Sequence, residues 1–525
     1  MTNLTAPARP QIFERLTLAA LGLLLILRII AVIISPLELY ADEAQYWRWG
    51  QTLEWGYYSK PPMIAWVIHL TTALFGIHEW SVRLAAPLLH TAAAGLIFLT
   101  GRAMLDARAG FFAALLYALM PSVVLSSNVL STDGVLMPFW CAGLYLLWRL
   151  RSGEGRWASA AVLGGVIGAG MLSKYAMLYF LIGLALACLI DAPTRRAILT
   201  PRGLLAGVIA ALIVAPHFAW NAANDFATVS HTVDNANLGG DLFNPENALT
   251  WFADQLGMFG PVSFLALLAG LFLYRSRRGE EASPERWLLC FILPVLIFIL
   301  GQAVLSRAHA NWTATAYPGA ALLVAIWFSR GTALTLWASL GLNLLVAGLF
   351  MAMTMLPPAS TTDLGLDNAM KRTRGWEASA QQVFAEAERL GATAVLVDER
   401  EAWHGLDFYA RDRKLPLISW RRYAGPKSFS ERQPLEGAIA ERVLIASVHA
   451  DLRPRLRSDF ASFEPAGQVR IDLGKRGNGC PISRVFQLYI GEGYNPPERT
   501  REWENQFIGE MEFPEPPCPT AAYGG

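Results

Sequence analysis

Charge is scarce in this 525-residue chain: only 16% of residues are Asp, Glu, Lys or Arg, against 54% hydrophobic ones. The scarcity is confined to one part. Residues 1–355 hold 39 charged residues, whereas 356–525 hold 46 in half the length. The first part is too apolar for a water-soluble domain and the second is ordinary for one, which predicts a polytopic membrane region followed by one soluble domain. A net charge of +1 gives no basis for a nucleic-acid partner. Five cysteines exclude a disulfide scaffold, and no CxxC or HExxH marks a metal or redox centre. Cys141, Cys188 and Cys290 lie in apolar runs as small buried hydrophobes. Cys480 and Cys518 could pair if the tail lies outside the cytoplasm. No GxGxxG or P-loop opens a helix; Gly164, Gly165, Gly168 and Gly170 sit inside an apolar run, where small residues let helices approach closely.

Apolar runs of bilayer length fall near 14–35, 80–101, 109–126, 133–150, 157–173, 175–191, 203–220, 256–274, 286–304, 313–329 and 332–356, about eleven spans. With a cytoplasmic N-terminus, fifteen of the 21 basic residues of this part fall on inner segments, including Arg102, Arg108, Arg149, Arg151, Arg195, Arg196 and Arg286. That asymmetry is the positive-inside signature, and it places residues 356–525 outside. Eleven acids, among them Asp42, Glu43, Glu54 and Asp133, gather on the outer side. The sequence therefore divides into a membrane domain over 1–356, with an outer juxtamembrane loop over 35–80, and a soluble domain over 357–525. In the latter, helices are expected over 376–390 and 402–410, and strands over 394–397, 416–420, 443–446 and 485–489, an α/β pattern. The Pro- and Gly-rich stretch 514–525 is expected to fray.

Four outer segments carry candidate chemistry. In the loop, Asp42 opens a helix-compatible run to about Leu53, so that Asp42, Tyr46 and Trp49 share a face. Its aromatics suit a helix lying at headgroup depth. Lys60 and Lys174 are the only lysines in the first 355 residues. Lys60 precedes Pro61-Pro62, a stiff mount for an ammonium that could hold a lipid-linked phosphate or simply snorkel. Ser131-Thr132-Asp133-Gly134 begins a span on the outer side, as a helix cap or as a second outer acid. Arg307 and His309, within 306–312, could bind phosphate or sugar; Arg83 enters its span from outside and could act similarly. His217 and His231 are isolated and read as core or loop histidines. A phosphate leaving group needs cations, and a hydroxyl acceptor needs a base such as Asp42.

The segments Ala41-Asp42-Glu43-Ala44-Gln45-Tyr46 and Gly56-Tyr57-Tyr58-Ser59-Lys60-Pro61-Pro62 resemble the first outer loop of GT-C membrane glycosyltransferases, specifically the protein O-mannosyltransferase and bacterial aminoarabinose-transferase relatives. Ser81-Val82-Arg83-Leu84, Ser131-Thr132-Asp133 and Tyr317-Pro318 are similar to further elements of that family. The resemblance covers about residues 14–356 in layout. It implies a GT-C fold of α-helical, polytopic type with a C-terminal soluble α/β domain. The implied activity is inverting transfer of one sugar from a polyprenyl-phosphate donor on the periplasmic side of a bacterial inner membrane, to a lipid A, lipopolysaccharide-core or other cell-surface glycan. By resemblance Asp42 is the catalytic carboxylate, Asp133 the second acid and Lys60 the donor-phosphate ligand. Arg83, Lys174 and Arg307 are donor-phosphate candidates by topology, and Glu43, Tyr46, Tyr57, Tyr58 and His309 are substrate-binding candidates. Membrane lipids complete the expected partners. Aminoarabinose-transferase members carry an acid before the loop lysine; Ser59 stands there, so no metal is assigned, and a divalent ion has a weaker basis than in those relatives. Protein O-glycosylation is the alternative within the class. A lipid-linked sugar transporter is the alternative outside it, but transporters show repeats and midplane acids, and here the acids sit at one surface.

Overall fold

The computed structural model describes residues 10–235, 242–273, 283–330, 333–437 and 439–507. Cys518, Asp241, Arg9, Arg275, Arg277, Arg278 and the stretch 514–525 lie outside the described residues, and with them the expected Cys480–Cys518 pair. The chain divides into two compact units: Met1–Ile34 with Leu53–Thr354, and Ser35–Thr52 with Met355–Gly525. Residues 35–52 thus group with the tail, whereas the sequence reading placed them with the membrane region.

The first unit is helical. Among the described residues, five single helices are long and apolar enough to cross a membrane: Gln11–Ile34, Glu79–Met104, Pro201–Ala223, Pro284–Leu305 and Leu334–Met355. Two bent pairs raise the number to seven if each is one span: Tyr175–Ile190 with Ala192–Ile198, bent 116°, and Pro245–Phe259 with Pro261–Phe272, bent 115°. The expected run 256–274 straddles the second bend, where Gly260 and Pro261 interrupt the helix. The expected run 109–126 is likewise divided: Ala107–Ala118 ends ahead of Pro121, and Pro121–Ser126 follows. The outer loop contains an apolar helix, Met63–Phe75, that hydropathy alone did not separate. Its 13 residues reach about 20 Å, short of a bilayer core. The glycines of 157–173 act as expected at two contacts with the helix Pro201–Ala223. A Cβ on Gly164 would meet the Ala206 carbonyl at 2.4 Å and one on Gly168 would meet Ile213 at 2.8 Å, whereas Gly165 faces nothing within 4 Å.

The second unit is built on a five-stranded sheet of order β2-β1-β3-β5-β4. Its strands are β1 (Ala394–Val397), β2 (Leu417–Ser419), β3 (Val443–Ser447), β4 (Phe460–Lys475) and β5 (Pro481–Tyr494). The first three are parallel; β5 runs antiparallel to β3, and β4 to β5. The helices Trp376–Arg389 and Arg400–Tyr409 close an apolar layer of Val383, Leu406, Val395, Leu444 and Phe486 on one face. Strand β4 escapes a hydropathy reading. It alternates exposed and buried positions and shifts register at Pro465/Gly467 and Asp472/Gly474, so its apolar residues never form a run.

Candidate active site

In the first unit a polar cluster forms where three distant segments meet. Ser131 caps the helix Thr132–Arg151, its Oγ accepting from the Gly134 N–H at 3.2 Å. Asp133 sits in the first turn, where the helix dipole favours an anion. Lys174, extended at the end of the helix Trp157–Ser173, donates from Nζ to both Asp133 oxygens at 2.7 and 2.8 Å. Asn311, in the 3₁₀ turn Ala310–Ala316, donates to Asp133 Oδ2 at 2.9 Å. The Lys174 and Asp133 side chains keep only 18% and 13% of their exposure, so the ion pair is largely withdrawn from water. His309 packs edge-on against Trp312 at 5.3 Å. Burial first, then the Arg307 and Lys174 charges, lowers its pKa below the usual imidazole value and keeps it neutral. Arg307 itself is exposed.

The loop that carries Lys60 is clamped rather than free-standing. Its backbone turns so that the Tyr57 N–H donates to the Lys60 carbonyl at 3.1 Å. Thr228 donates to the Tyr57 carbonyl at 2.7 Å, and Trp220 donates to Glu54 Oε2 at 2.8 Å. A Cβ on Gly56 would lie 2.4 Å from the Trp220 ring, so only glycine fits between loop and helix. Burial pushes the Tyr57 phenol up to about 12, while its oxygen accepts from the Glu54 N–H at 3.2 Å. Tyr58 lies edge-on to His231 with centroids 5.9 Å apart. His217 ties the loop to the polar cluster. Its Nδ1 meets the Trp55 carbonyl at 2.7 Å, and since a carbonyl only accepts, Nδ1 carries the hydrogen. Nε2 is then the acceptor for the Tyr175 hydroxyl at 2.7 Å, one residue from Lys174. Lys174 and the Lys60 loop are thereby joined through Tyr175 and His217.

In the second unit the helix Ala41–Gly50 separates its two acids by role. Glu43 is fully buried and its carboxylate accepts from the Tyr40 N–H at 3.1 Å, a cap. Asp42 keeps 39% exposure and meets Arg400 Nη1 through Oδ1 at 3.0 Å. The same Arg400 nitrogen also donates to Gln45. The aromatics of this helix do not form an interfacial face as the sequence suggested. Tyr46, Trp47 and Trp49 are buried in protein: Trp47 packs edge-on against Phe408 at 4.9 Å, Trp49 against Phe429 at 6.2 Å, and Tyr46 against Trp49 at 5.2 Å. The soluble domain offers rings a larger apolar contact than a headgroup layer does.

The structure therefore brings together Asp133 and Lys174 with His309 and Arg307 nearby, and holds Lys60, Tyr57 and Tyr58 on one clamped loop. Arg83 is buried at the end of the short helix Glu79–Arg83 and takes no part in the Asp133–Lys174–Asn311 contacts. Asn311, Tyr175, His217, Trp220 and Arg400 were not singled out as site residues. Only Asn311 carried a signal, its place in the polar segment 306–312. Among the described residues no three His, Cys, Asp or Glu side chains lie together so as to hold a metal ion.

Residues 59–220 match the family model for dolichyl-phosphate-mannose-protein mannosyltransferases. The chain is 33% identical over 435 residues to the lipid A galacturonosyltransferase RgtD of Rhizobium johnstonii, covering 81% of this chain and 90% of that protein. It is 26% identical over 324 residues to the lipopolysaccharide core galacturonosyltransferase RgtA of the same organism, covering 54% and 65%. The crystal structure of ArnT from Cupriavidus metallidurans bound to undecaprenyl phosphate superposes with a TM-score of 0.61 at 15% identity, covering 89% of this chain and 96% of that one. The fold is thus that of a GT-C membrane enzyme with a C-terminal sheet domain, and the chemistry of the class is glycosyl transfer. The chain belongs to the GT-C glycosyltransferases, in the family that includes RgtD. Membership sets aside the transporter reading.

Proposed function

We propose that this enzyme moves one sugar, galacturonic acid, from a polyprenyl-phosphate carrier to lipid A on the periplasmic face of a bacterial inner membrane. The observation that carries the reading is the 33% identity to a lipid A galacturonosyltransferase over 81% of the chain. The undecaprenyl phosphate named in the ArnT structure supports the carrier, and the distribution of basic residues supports the face. Asp42 takes the proton from the acceptor hydroxyl as its oxygen forms a bond to the sugar's anomeric carbon. The bond from that carbon to the phosphate oxygen breaks, and polyprenyl phosphate departs with the electron pair, its charge balanced by Lys60, with Arg83 and Arg307 as further cations. Lys174 is already engaged by Asp133, so Asp133 sets how much of that ammonium reaches the donor. Glu43 caps its helix, and Tyr46 packs beside it; both shape the position of Asp42. Tyr57, Tyr58 and His309 line the donor side.

The test is to restore a deletion strain with wild type, Asp42→Asn or Lys60→Ala, and to read lipid A and core glycoforms by mass spectrometry. Both variants should lack one uronic acid residue that wild type restores. Wild-type glycoforms from both variants, at normal protein levels, would refute the assignment. Unchanged lipid A with altered protein glycans would instead favour a protein acceptor, the reading suggested by the description of the matching family model.

A further inference from the structure

We infer that Arg400 is a positioning residue for Asp42, both in the second unit; the inference rests on the catalytic role proposed for Asp42. Asp42 and Arg400 come from segments 358 residues apart, yet rigid packing sets their separation. The helices Ala41–Gly50 and Arg400–Tyr409 are held together by Trp47 against Phe408, by Arg48 with Asp407 at 3.6 Å and by the Tyr409 hydroxyl, which accepts from the Leu39 N–H at 2.8 Å. Arg400 stands at the first position of its helix, whose start is fixed by Glu399 Oε2 accepting from the Ala402 N–H at 2.9 Å.

From that mount a single guanidinium nitrogen reaches two acceptors one helical turn apart, Asp42 Oδ1 and Gln45 Oε1. Among the described residues the other Asp42 oxygen, Oδ2, has no hydrogen-bond partner, and the side chain keeps 39% exposure. One oxygen is therefore tethered and the other is left to take a proton. A carboxylate on an exposed first helical turn otherwise samples several rotamers, and a general base must hold hydrogen-bond distance from the proton it accepts. Glu43, the adjacent acid, is unsuited to the task because its carboxylate is fully buried as a cap. A lysine cannot reproduce the effect in full, since its ammonium sits on a shorter, more flexible stem than the planar guanidinium and reaches the same point less well.

The experiment uses full-length enzyme in detergent with a polyprenyl-phosphate sugar and lipid A, and measures kcat and the donor KM separately. Arg400→Met keeps an apolar stem and removes the guanidinium. Its kcat should fall on the order of 100-fold, the scale of a misplaced reacting group, with donor KM within about twofold, and Arg400→Lys should regain part of the loss. In an Asp42→Asn background, Arg400→Met should cost little more, because both act on one step. Wild-type kcat in Arg400→Met beside a strongly impaired Asp42→Asn would overturn this inference and leave the proposed function standing. The same 100-fold loss in the Asp42→Asn background would also overturn it, since Arg400 would then act without Asp42. A fully active Asp42→Asn would overturn the proposed function itself.

Discussion

Consider the Asp133–Lys174 pair with each partner removed in turn. Lys174 donates to both carboxylate oxygens at 2.7 and 2.8 Å, and Asn311 adds a third bond at 2.9 Å. Asp133→Leu leaves an ammonium with 18% exposure and removes the carboxylate that pairs with it. Removing one partner of a buried pair costs about 3–5 kcal/mol, and residual exposure places this one near 3. Replacing both, Asp133→Leu with Lys174→Met, removes the stranded charge, and such exchanges are close to neutral in stability. Thermal unfolding in detergent should therefore fall clearly for the single variant and recover for the double. On the proposed donor-site role of Lys174, sugar transfer should be lost in the double variant, which removes the ammonium next to Tyr175, the residue that His217 links to the Lys60 loop. A double variant that is stable and fully active would reduce the pair to a brace. A single variant of wild-type stability would refute the electrostatic argument.

Gly56→Ala places a methyl 2.4 Å from the Trp220 ring, so the loop must shift; overpacking of this kind costs about 1–3 kcal/mol. Its donor KM should rise, measured against an unchanged acceptor KM. His404 is fully buried with neither ring nitrogen hydrogen-bonded. Burial first, then Arg400 and Arg48, drives its pKa well below the usual value. The folded state therefore holds it neutral, while the unfolded chain takes a proton below about pH 6.5. Stability is fully present above that pH and is lost as pH falls, by about 1.4 kcal/mol per unit until the folded pKa is reached. His404→Leu should flatten the decline below pH 6.5, and an unchanged slope in chemical unfolding of the variant would contradict this.

Much of the plan was legible because it rests on composition and period. Apolar length separates the helical unit from the sheet unit, and the helices Trp376–Arg389 and Arg400–Tyr409 and strands β1 and β3 fall within a few residues of their expected places. What stayed hidden depends on contacts between distant segments. The short helix Met63–Phe75 is apolar but below span length, and proline-marked breaks divide runs that hydropathy averages together. The rings of 41–50 read as an interfacial belt because the sequence does not reveal that the expected helix at 400–409 packs against them. Asp133 and Lys174 were each visible as outer charges, but their pairing follows from three-dimensional packing, as does the engagement of Asp42 by Arg400. Tyr175 and His217 looked ordinary alone; they matter because a carbonyl at Trp55 fixes the imidazole tautomer that links them.

In the proposed reaction the Asp42 carboxylate and the Lys60 ammonium pass one sugar from a lipid phosphate to a lipid. The most direct measurement incubates purified enzyme with a synthetic polyprenyl-phosphate galacturonic acid and defined lipid A, then weighs the products. Wild type should add the mass of one uronic acid residue to lipid A and release free polyprenyl phosphate in equal amount, with both products reduced to a small residual rate in Asp42→Asn and Lys60→Ala. Transfer by both variants at the wild-type rate would contradict the account.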